Sequence, residues 1–251
     1  MKIKSVKAIG KNQAFYRASL SSSEIKQEMD NLANATNVET VVTGHPKVFE
    51  LLNAAPSWPL YTQNKVKVIW SAHHSIGTGW SDFGVFDKVF EEFLKLAKKR
   101  KDWDILFSPH PALIHRLENL KQSELKEKVN DFFCQWNRLD NTSIISMGEY
   151  LGPFQSSSIL IVDGLSFLIE FQLLNKPIIQ LTREGSSSYT KFGERVERGV
   201  HKLPYKSFGE LENKIEYLLS KPDPLSSFQL KLKEELTRES DPAQQDGRTR
   251  N

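Results

Sequence analysis

The first stretch of this sequence that could do chemistry contains adjacent histidines followed by serine and glycine. Residues 71–80 read SAHHSIGTGW and include His73, His74, Ser75 and Gly77. Glycines after a strand let the backbone approach a ligand, and amides at the start of the next helix can hold a phosphate. The pattern is neither a dinucleotide fingerprint nor a P-loop. For either ring, the structural alternative is a histidine packed beside a turn.

A second stretch, FSPHPAL, places His110 between two prolines at the end of a predicted strand. Because prolines restrict the local backbone, the imidazole should be held rigidly at the mouth of a sheet. A histidine in that place can act as a general acid or base, or as a phosphate-binding cation, near neutral pH. The alternative is a turn histidine shaped only by its prolines.

The third stretch combines a strand, a turn and a helix. Ile159–Val162 is a short apolar run typical of a buried parallel strand, and it ends at the turn pair Asp163 and Gly164. Ser166 can cap the helix that follows, and Glu170 lies four residues later on the same face. Such a helix start suits a nucleotide diphosphate and its ribose. The alternative is a capped core helix with one exposed glutamate.

The elements that must position these groups alternate between strand and helix. Strands are predicted over 66–70, 103–107, 143–146, 159–162 and 178–181. Helices are predicted over 83–99, 113–139, 167–174, 208–219 and 226–236. This alternation predicts an α/β fold with a doubly wound parallel sheet. Because ligands bind beyond the carboxyl ends of such strands, loops 71–80, 108–111 and 163–166 should converge on one crevice.

Composition narrows the functional classes. The chain has 251 residues, 39% hydrophobic and 26% charged, with a net charge of +3, which is too small to indicate nucleic acid as the main partner. Cys134 is the only cysteine, so an intrachain disulfide and a cysteine zinc site are excluded. No metal-ligand spacing is evident, and we predict no metal and no cofactor. A reducing, cytoplasmic setting is expected.

The order and spacing of several blocks resemble the CDP-glycerol glycerophosphotransferases, the teichoic-acid and capsule polymer transferases. The blocks are WSAHHSIGTGWSDF, FSPHPAL and DGLSFLIEFQLLNKPIIQL, and the resemblance covers roughly Val41–Leu225. It implies a GT-B-like fold, in which the C-terminal of two Rossmann-like domains binds most of the donor nucleotide. The chain would then contain a truncated acceptor-side segment (1–60), a nucleotide-donor-binding domain (61–240) and a disordered tail (241–251).

The resemblance also implies a reaction. A polyol phosphate, glycerol phosphate foremost, would move from a CDP-activated donor to a cell-surface glycan or teichoic-acid-like polymer. Peripheral contact with the cytoplasmic face of the membrane is a further expectation. The predicted catalytic residues are His110 and His74. The predicted donor-binding residues are His73, Ser75, Gly77, Asp163, Gly164, Ser166 and Glu170.

This sequence departs from the family pattern at several of these positions. Ser71 and Ala72 stand where the family usually has alanine and proline. Ser108 stands where the family usually has lysine, which removes one phosphate-binding cation. Gly164 and Leu165 replace a serine–glycine pair and delete one hydroxyl. In addition, about 40 to 60 residues precede the donor domain, whereas a whole acceptor domain needs on the order of 100 or more.

Two other functions are compatible with the sequence. One is a non-catalytic or partner-dependent nucleotide- or glycan-binding half of a GT-B protein. The other is a nucleotide-sugar epimerase, which uses the same two-domain fold.

Overall fold

A computed structural model of the chain describes twelve segments. They are 4–5, 16–20, 26–27, 30, 38–42, 44–61, 64–76, 83–121, 123–145, 148–165, 167–184 and 190–240. Gly77, Ser166 and the predicted disordered tail 241–251 lie outside the described residues. Within these segments, no helix combines the length and the apolar character needed to span a membrane.

The chain divides into two compact units. The smaller unit comprises Met1–Asn53 with Leu230–Asn251, and the larger comprises Ala54–Gln229. The smaller unit contains strands β1 (Lys4–Ser5), β2 (Tyr16–Leu20) and β3 (Val38–Val42) and helix α1 (Val48–Leu52). Strand β2 pairs antiparallel with β1 and parallel with β3. The three-part domain division inferred from the resemblance stays a prediction.

The larger unit is built on one sheet of six parallel strands. They are β4 (Val66–Ala72), β5 (Trp103–Pro109), β6 (Thr142–Ile144), β7 (Ile159–Val162), β8 (Ile178–Thr182) and β9 (His201–Pro204). Their order across the sheet is β6-β5-β4-β7-β8-β9, and every neighbouring pair is parallel. This arrangement confirms the predicted α/β fold with a doubly wound sheet.

Helices connect and flank these strands. They are α2 (Phe86–Lys99), α3 (Pro111–Glu118), α4 (Ser123–Trp136), α5 (Leu151–Ser156), α6 (Leu168–Gln172), α7 (Lys191–Glu197) and α8 (Leu211–Leu219). Helix α9 (Ser226–Ser240) begins in the larger unit and continues in the smaller one. A short 3-10 helix, Tyr205–Glu210, precedes α8. The region 113–139 is largely helical, as predicted, and it is divided into two helices because α3 ends at Asn119. Its side-chain amide donates to the carbonyl of His115 at 2.8 Å.

An aromatic cluster joins β4 and β5 to α2 and α4. The fully buried ring of Trp70 stacks on Phe93, with ring centroids 3.9 Å apart, and on Phe107, with centroids 4.3 Å apart. Trp136 meets Trp70 edge-on at 5.9 Å. Because Trp70 lies only three residues before His73, this packing fixes where the first candidate loop leaves the sheet.

The basic residues at the end of α2 form ion pairs within the chain. Arg100 donates to Asp102 at 2.6 Å and to Glu212 at 3.1 Å, and it also pairs with Glu216. Lys99 pairs with Glu212 at 2.5 Å. These charges therefore tie α2 to α8, and contact of the protein with a membrane stays a prediction.

We predict that Phe93→Ala destabilises the larger unit by about 3–5 kcal/mol, because it removes a buried ring and leaves a cavity against Trp70. Phe228, on α9, is 43% exposed. Phe228→Ala should therefore change the unfolding free energy by less than about 1 kcal/mol. Urea titration of both variants measures the difference. Equal losses for the two variants would contradict the assignment of this cluster as the core.

Candidate active site

The order of the strands indicates where a ligand should bind. Starting from β4 at the centre, the chain adds β5 and then β6 on one side of the sheet. It then returns to the centre and adds β7, β8 and β9 on the other side. The order in which strands are added therefore reverses between β4 and β7, and in open α/β sheets ligands bind beyond the carboxyl ends of the strands at such a switch point. The loops after β4 and β7 lie at this position.

A cavity of about 110 Å³ opens at this edge of the sheet. It is smaller than the roughly 300–1,000 Å³ that encloses a drug-sized ligand, so it can take one end of a ligand. Described parts of all three candidate loops line it. The lining residues are Ser71, Ala72, His73, Ser108, Pro109, His110, Pro111, Ile145, Gly148, Tyr150, Val162, Gly164 and Phe167.

His110 is fixed by its backbone and by its side chain. Its N–H donates to the carbonyl of Ala72 at 2.9 Å, which extends the pairing of β4 with β5. It is also the N-cap of α3, where its Nδ1 accepts the N–H of Ala112 at 3.1 Å. Because Nδ1 accepts, the neutral ring carries its proton on Nε2. His110 is therefore a hydrogen-bond donor that is held in place by the helix it caps.

His73 is fixed in the same tautomer. Its Nδ1 accepts the N–H of Ser75 at 3.2 Å and lies 2.9 Å from the Ser75 hydroxyl oxygen. That hydroxyl oxygen accepts the N–H of Gly84 at 2.8 Å. The neutral ring must again carry its proton on Nε2. Ser75, predicted to bind the donor, is 6% exposed and holds the imidazole.

Asp163 joins the loops that follow β4 and β7. One carboxylate oxygen accepts the N–H of His73 at 2.5 Å, and the other accepts the N–H of Val85 at 2.7 Å. Asp163 is 2% exposed, and burial raises its pKa to about 6 although the backbone hydrogen bonds oppose the rise. In this conformation the carboxylate positions the site through the backbone. Contact between its side chain and a donor stays a prediction.

The three imidazoles form one cluster. The ring of His74 lies with its centroid 4.0 Å from that of His73 and 4.7 Å from that of His110, and the outer two are 6.1 Å apart. Burial, together with neighbouring rings, lowers the pKa of His73 to about 4 and that of His74 below its ordinary value. Burial and the charge of Arg116 lower the pKa of His110. The cluster is therefore uncharged near neutral pH.

Arg116 is a cation that the sequence patterns did not indicate. It lies on α3, six residues after His110, is exposed, and lowers the pKa of all three histidines. Its charge therefore acts on the histidine cluster, although Arg116 is not among the residues that line the cavity. Within the described residues it has no carboxylate partner. A positive charge thus influences the site although lysine is absent at position 108.

His74 differs from the other two rings. Its Nδ1 is buried and has no hydrogen-bond partner among the described residues. No described hydrogen bond fixes its tautomer, so it alone of the three can exchange a proton without breaking a described contact. The ring lies beside the cavity and does not form part of its lining.

The remaining predicted site residues are placed as follows. Gly164 lines the cavity, and a Cβ added there would lie 2.8 Å from Cδ2 of His73, so a larger residue would displace the ring. Glu170 is half-buried on α6. Its contact with a ribose stays a prediction, as do the contacts of Gly77 and Ser166.

Sequence reasoning missed the part of the lining that the segment before α5 supplies. Tyr150 and Gly148 line the cavity, and the rings of Tyr150 and Phe167 lie 4.9 Å apart. Lys176 holds the end of α5 by donating to the carbonyls of Phe154, Gln155 and Ser157 at 3.0, 2.7 and 2.7 Å. Burial lowers the pKa of this lysine to about 8. The lysine–proline pair at 176–177 was the available signal.

No group of three or more His, Cys, Asp or Glu side chains in the described parts of the chain is arranged to hold a metal ion.

No model of a known protein family and no curated protein matches the sequence. Its fold is similar to that of solved structures. A putative UDP-N-acetylglucosamine 2-epimerase from Listeria monocytogenes is 11% identical, over 83% of this chain and 52% of its own, with a TM-score of 0.51. UDP-GlcNAc 2-epimerase from Neisseria meningitidis, bound to UDP-GlcNAc, is 16% identical over 86% of this chain and 60% of its own, with a TM-score of 0.47.

The wall teichoic acid polymerase TagF is 15% identical, over 84% of this chain and 48% of its own, with a TM-score of 0.48. The chain therefore spans between 48% and 60% of the length of these three structures. At these identities the likeness extends to the fold, and the Listeria structure supports the GT-B-like class predicted from the sequence.

The candidate site should make the fold sensitive to acid. The pKa of His73 is lowered from 6.5 to about 4 in the folded chain. The unfolded chain therefore binds a proton at His73 more readily than the folded chain does. The contribution of His73 to the unfolding free energy should be fully present above about pH 6.5 and should be lost as the pH drops toward 4. His73→Asn keeps an acceptor in place of Nδ1 and cannot be protonated. Its unfolding free energy should fall less than that of the wild type between about pH 7.5 and about pH 4.5.

Urea titration at the two pH values measures this change. His115→Asn is the matched control, because His115 is exposed on α3 and should leave the wild-type dependence intact. If His73→Asn loses as much stability as the wild type, His73 is not the group responsible.

Proposed function

We propose that this protein binds a nucleoside-diphosphate-activated donor and transfers a polyol phosphate from it to a hydroxyl of a glycan or polyol-phosphate polymer. CDP-glycerol is the donor that the sequence resemblance favours. The observation that carries the proposal is the uncharged histidine cluster at the switch point of the sheet, with two of its rings fixed as Nε2–H donors. Such a site can stabilise phosphoryl oxygens and accept one proton.

In this reaction the acceptor hydroxyl attacks the β-phosphorus of the donor. A bond forms between the acceptor oxygen and phosphorus, and the bond from phosphorus to the bridging oxygen breaks, so that CMP leaves with that oxygen. Negative charge grows on the phosphoryl oxygens as this happens. The Nε2–H of His110 is the group suited to donate a hydrogen bond to one of them, because its orientation is set before the donor binds.

The proton of the attacking hydroxyl needs an acceptor. His110 and His73 cannot take it, because the ring nitrogen that lacks a proton already accepts a backbone N–H in each. His74 has no such restriction, and its lowered pKa leaves it uncharged and able to accept a proton near neutral pH. We therefore assign general-base catalysis to His74 and electrostatic stabilisation to His110.

Arg116 is suited to balance the charge of the donor diphosphate. Helix α6, which was expected to face the phosphates, has only five residues, so the partial charge at its start is small. A guanidinium is always charged and matches the geometry of phosphate oxygens. Arg116 thus replaces, from a different element, the cation that the family pattern would have at position 108.

A second function has one specific observation in its favour. The Listeria structure that this fold resembles is described as a putative UDP-GlcNAc 2-epimerase. An epimerase would isomerise its sugar nucleotide in the absence of any acceptor, whereas a transferase would release the nucleoside monophosphate only when an acceptor is present. Incubation with UDP-GlcNAc alone and with CDP-glycerol plus a polyol-phosphate acceptor separates the two.

His110→Asn is the sharpest test of the transferase. Asparagine is a good N-cap, and its carbonyl oxygen can accept the N–H of Ala112 in place of Nδ1. The substitution therefore keeps the start of α3 and removes only the Nε2–H. We expect CMP release from CDP-glycerol to fall by about 10²–10³-fold while the melting temperature stays within a few degrees of wild type.

His115→Asn, on the exposed face of the same helix, should retain wild-type CMP release. His74→Ala should also lose activity, and the remaining rate should no longer decrease toward acid pH, because the titrating base is absent. Wild-type turnover by His110→Asn would exclude the assigned role. Failure of the wild-type protein to release CMP from any CDP-polyol would exclude the transferase, if CDP binds.

Glu170→Gln tests the predicted ribose contact. If Glu170 binds the ribose, CDP should bind about tenfold more weakly to the variant, a loss of about 1.4 kcal/mol, with unchanged stability. Isothermal titration with CDP, together with thermal melting, measures both quantities. If the variant unfolds while the folded fraction binds CDP as before, Glu170 is structural and the donor assignment is wrong.

A further inference from the structure

Two serines form the polar floor of the cavity. Ser71, near the end of β4, and Ser108, near the end of β5, are register partners on adjacent parallel strands. Both residues are 6% exposed, and both line the cavity. Adjacent strands lie about 4.8 Å apart, so the two side chains are close enough to contact the same small group.

Neither serine hydroxyl makes a hydrogen bond to a described residue. Neither oxygen is among the buried polar atoms that lack a partner, so both reach the open space of the cavity although the residues are otherwise enclosed. Because a serine hydroxyl can both donate and accept, the pair is available to a group that enters this cavity.

The chemistry of the lining restricts what that group can be. No lysine or arginine lines the cavity among the described residues, and its two histidines are uncharged near neutral pH. A phosphate enclosed there would lose its hydration without gaining a counter-charge, so the phosphoryl oxygen assigned to His110 lies at the mouth of the cavity. A hydroxyl group both donates and accepts hydrogen bonds, as serine does, and it can also accept from the fixed Nε2–H of His73. Ile145, Val162 and Phe167 offer apolar surface to carbon-bound hydrogens.

We propose that Ser71 and Ser108 form a recognition site for the hydroxyls of the polyol or sugar carried by the donor, with the diphosphate lying outside the cavity toward Arg116. This inference rests on the proposed function, because it identifies which part of the activated donor enters the cavity. It also gives a physical meaning to two of the positions at which the sequence departs from the family pattern, 71 and 108. The neutral pair selects a hydroxylated group where a lysine would select a phosphate.

The test compares a nucleotide with its hydroxylated adduct. Dissociation constants for CDP and CDP-glycerol, and for UDP and UDP-GlcNAc, are measured by isothermal titration on wild type, Ser71→Ala and Ser108→Ala. Each alanine variant should bind the adduct about three- to tenfold more weakly and should bind the free nucleotide as wild type does. Ser108→Thr restores the hydroxyl and should recover most of the lost affinity. Ser220→Ala, exposed at the end of α8, is the control.

If the alanine variants bind the nucleotide and its adduct equally more weakly, the serines contact the diphosphate and the proposal is overturned. Unchanged affinity for every ligand would also overturn it. A second measurement distinguishes failure of the serine site from failure of the proposed function. Free glycerol and inorganic phosphate are titrated against the same variants by ligand-observed NMR. If no nucleotide binds the wild type, the proposed function falls. In that case, glycerol binding that is present in the wild type and lost in both alanine variants still supports the serine site. If the wild type does not bind glycerol, or if the alanine variants bind it as well as the wild type does, the serine site is overturned.

Discussion

The candidate site depends on a buried carboxylate, that of Asp163. It accepts one backbone N–H from His73 and another from Val85, and so connects the end of β7 to the loop after β4 and to the residue before α2. Removing it would leave two backbone donors unsatisfied, at about 1–3 kcal/mol for each that is buried. The same contact holds the ring of His73 against Gly164, where no Cβ fits. The geometry of the candidate site and local stability therefore share one interaction.

A second constraint is electrostatic. Clustering three imidazoles in a half-buried edge of the sheet disfavours the protonated form of each, and Arg116 adds to this effect. The side chains that line the cavity are consequently polar or apolar and uncharged near neutral pH, and Arg116 is not among them. The cavity therefore offers hydrogen-bonding groups without a net charge, which a cluster of imidazolium ions would not do.

The sequence predicted most of the larger unit, because its buried strands and amphipathic helices have strong periodic patterns. Strand β7 lies at the centre of the sheet, parallel to β4, as its apolar run indicated. Helix α5 escaped prediction because Gly152 and Pro153 are poor helix formers, and it is held by the distant Lys176. The tautomers of His73 and His110 could not be predicted, since they depend on individual backbone N–H groups. Arg116 lacked any sequence signal, because its effect on the pKa of the histidines depends on how α3 packs in the folded chain.

The proposed function separates into two physical requirements. All the residues of the candidate site lie in the larger unit, which contains its own sheet and its own aromatic core. Nucleotide binding would therefore depend on this unit and on the contacts that hold its loops together. Turnover would have an additional requirement, because an acceptor hydroxyl must be held in line with the phosphorus. Substitutions that disturb the core or Asp163 should therefore weaken binding, whereas the loss of a proton acceptor should lower the rate alone.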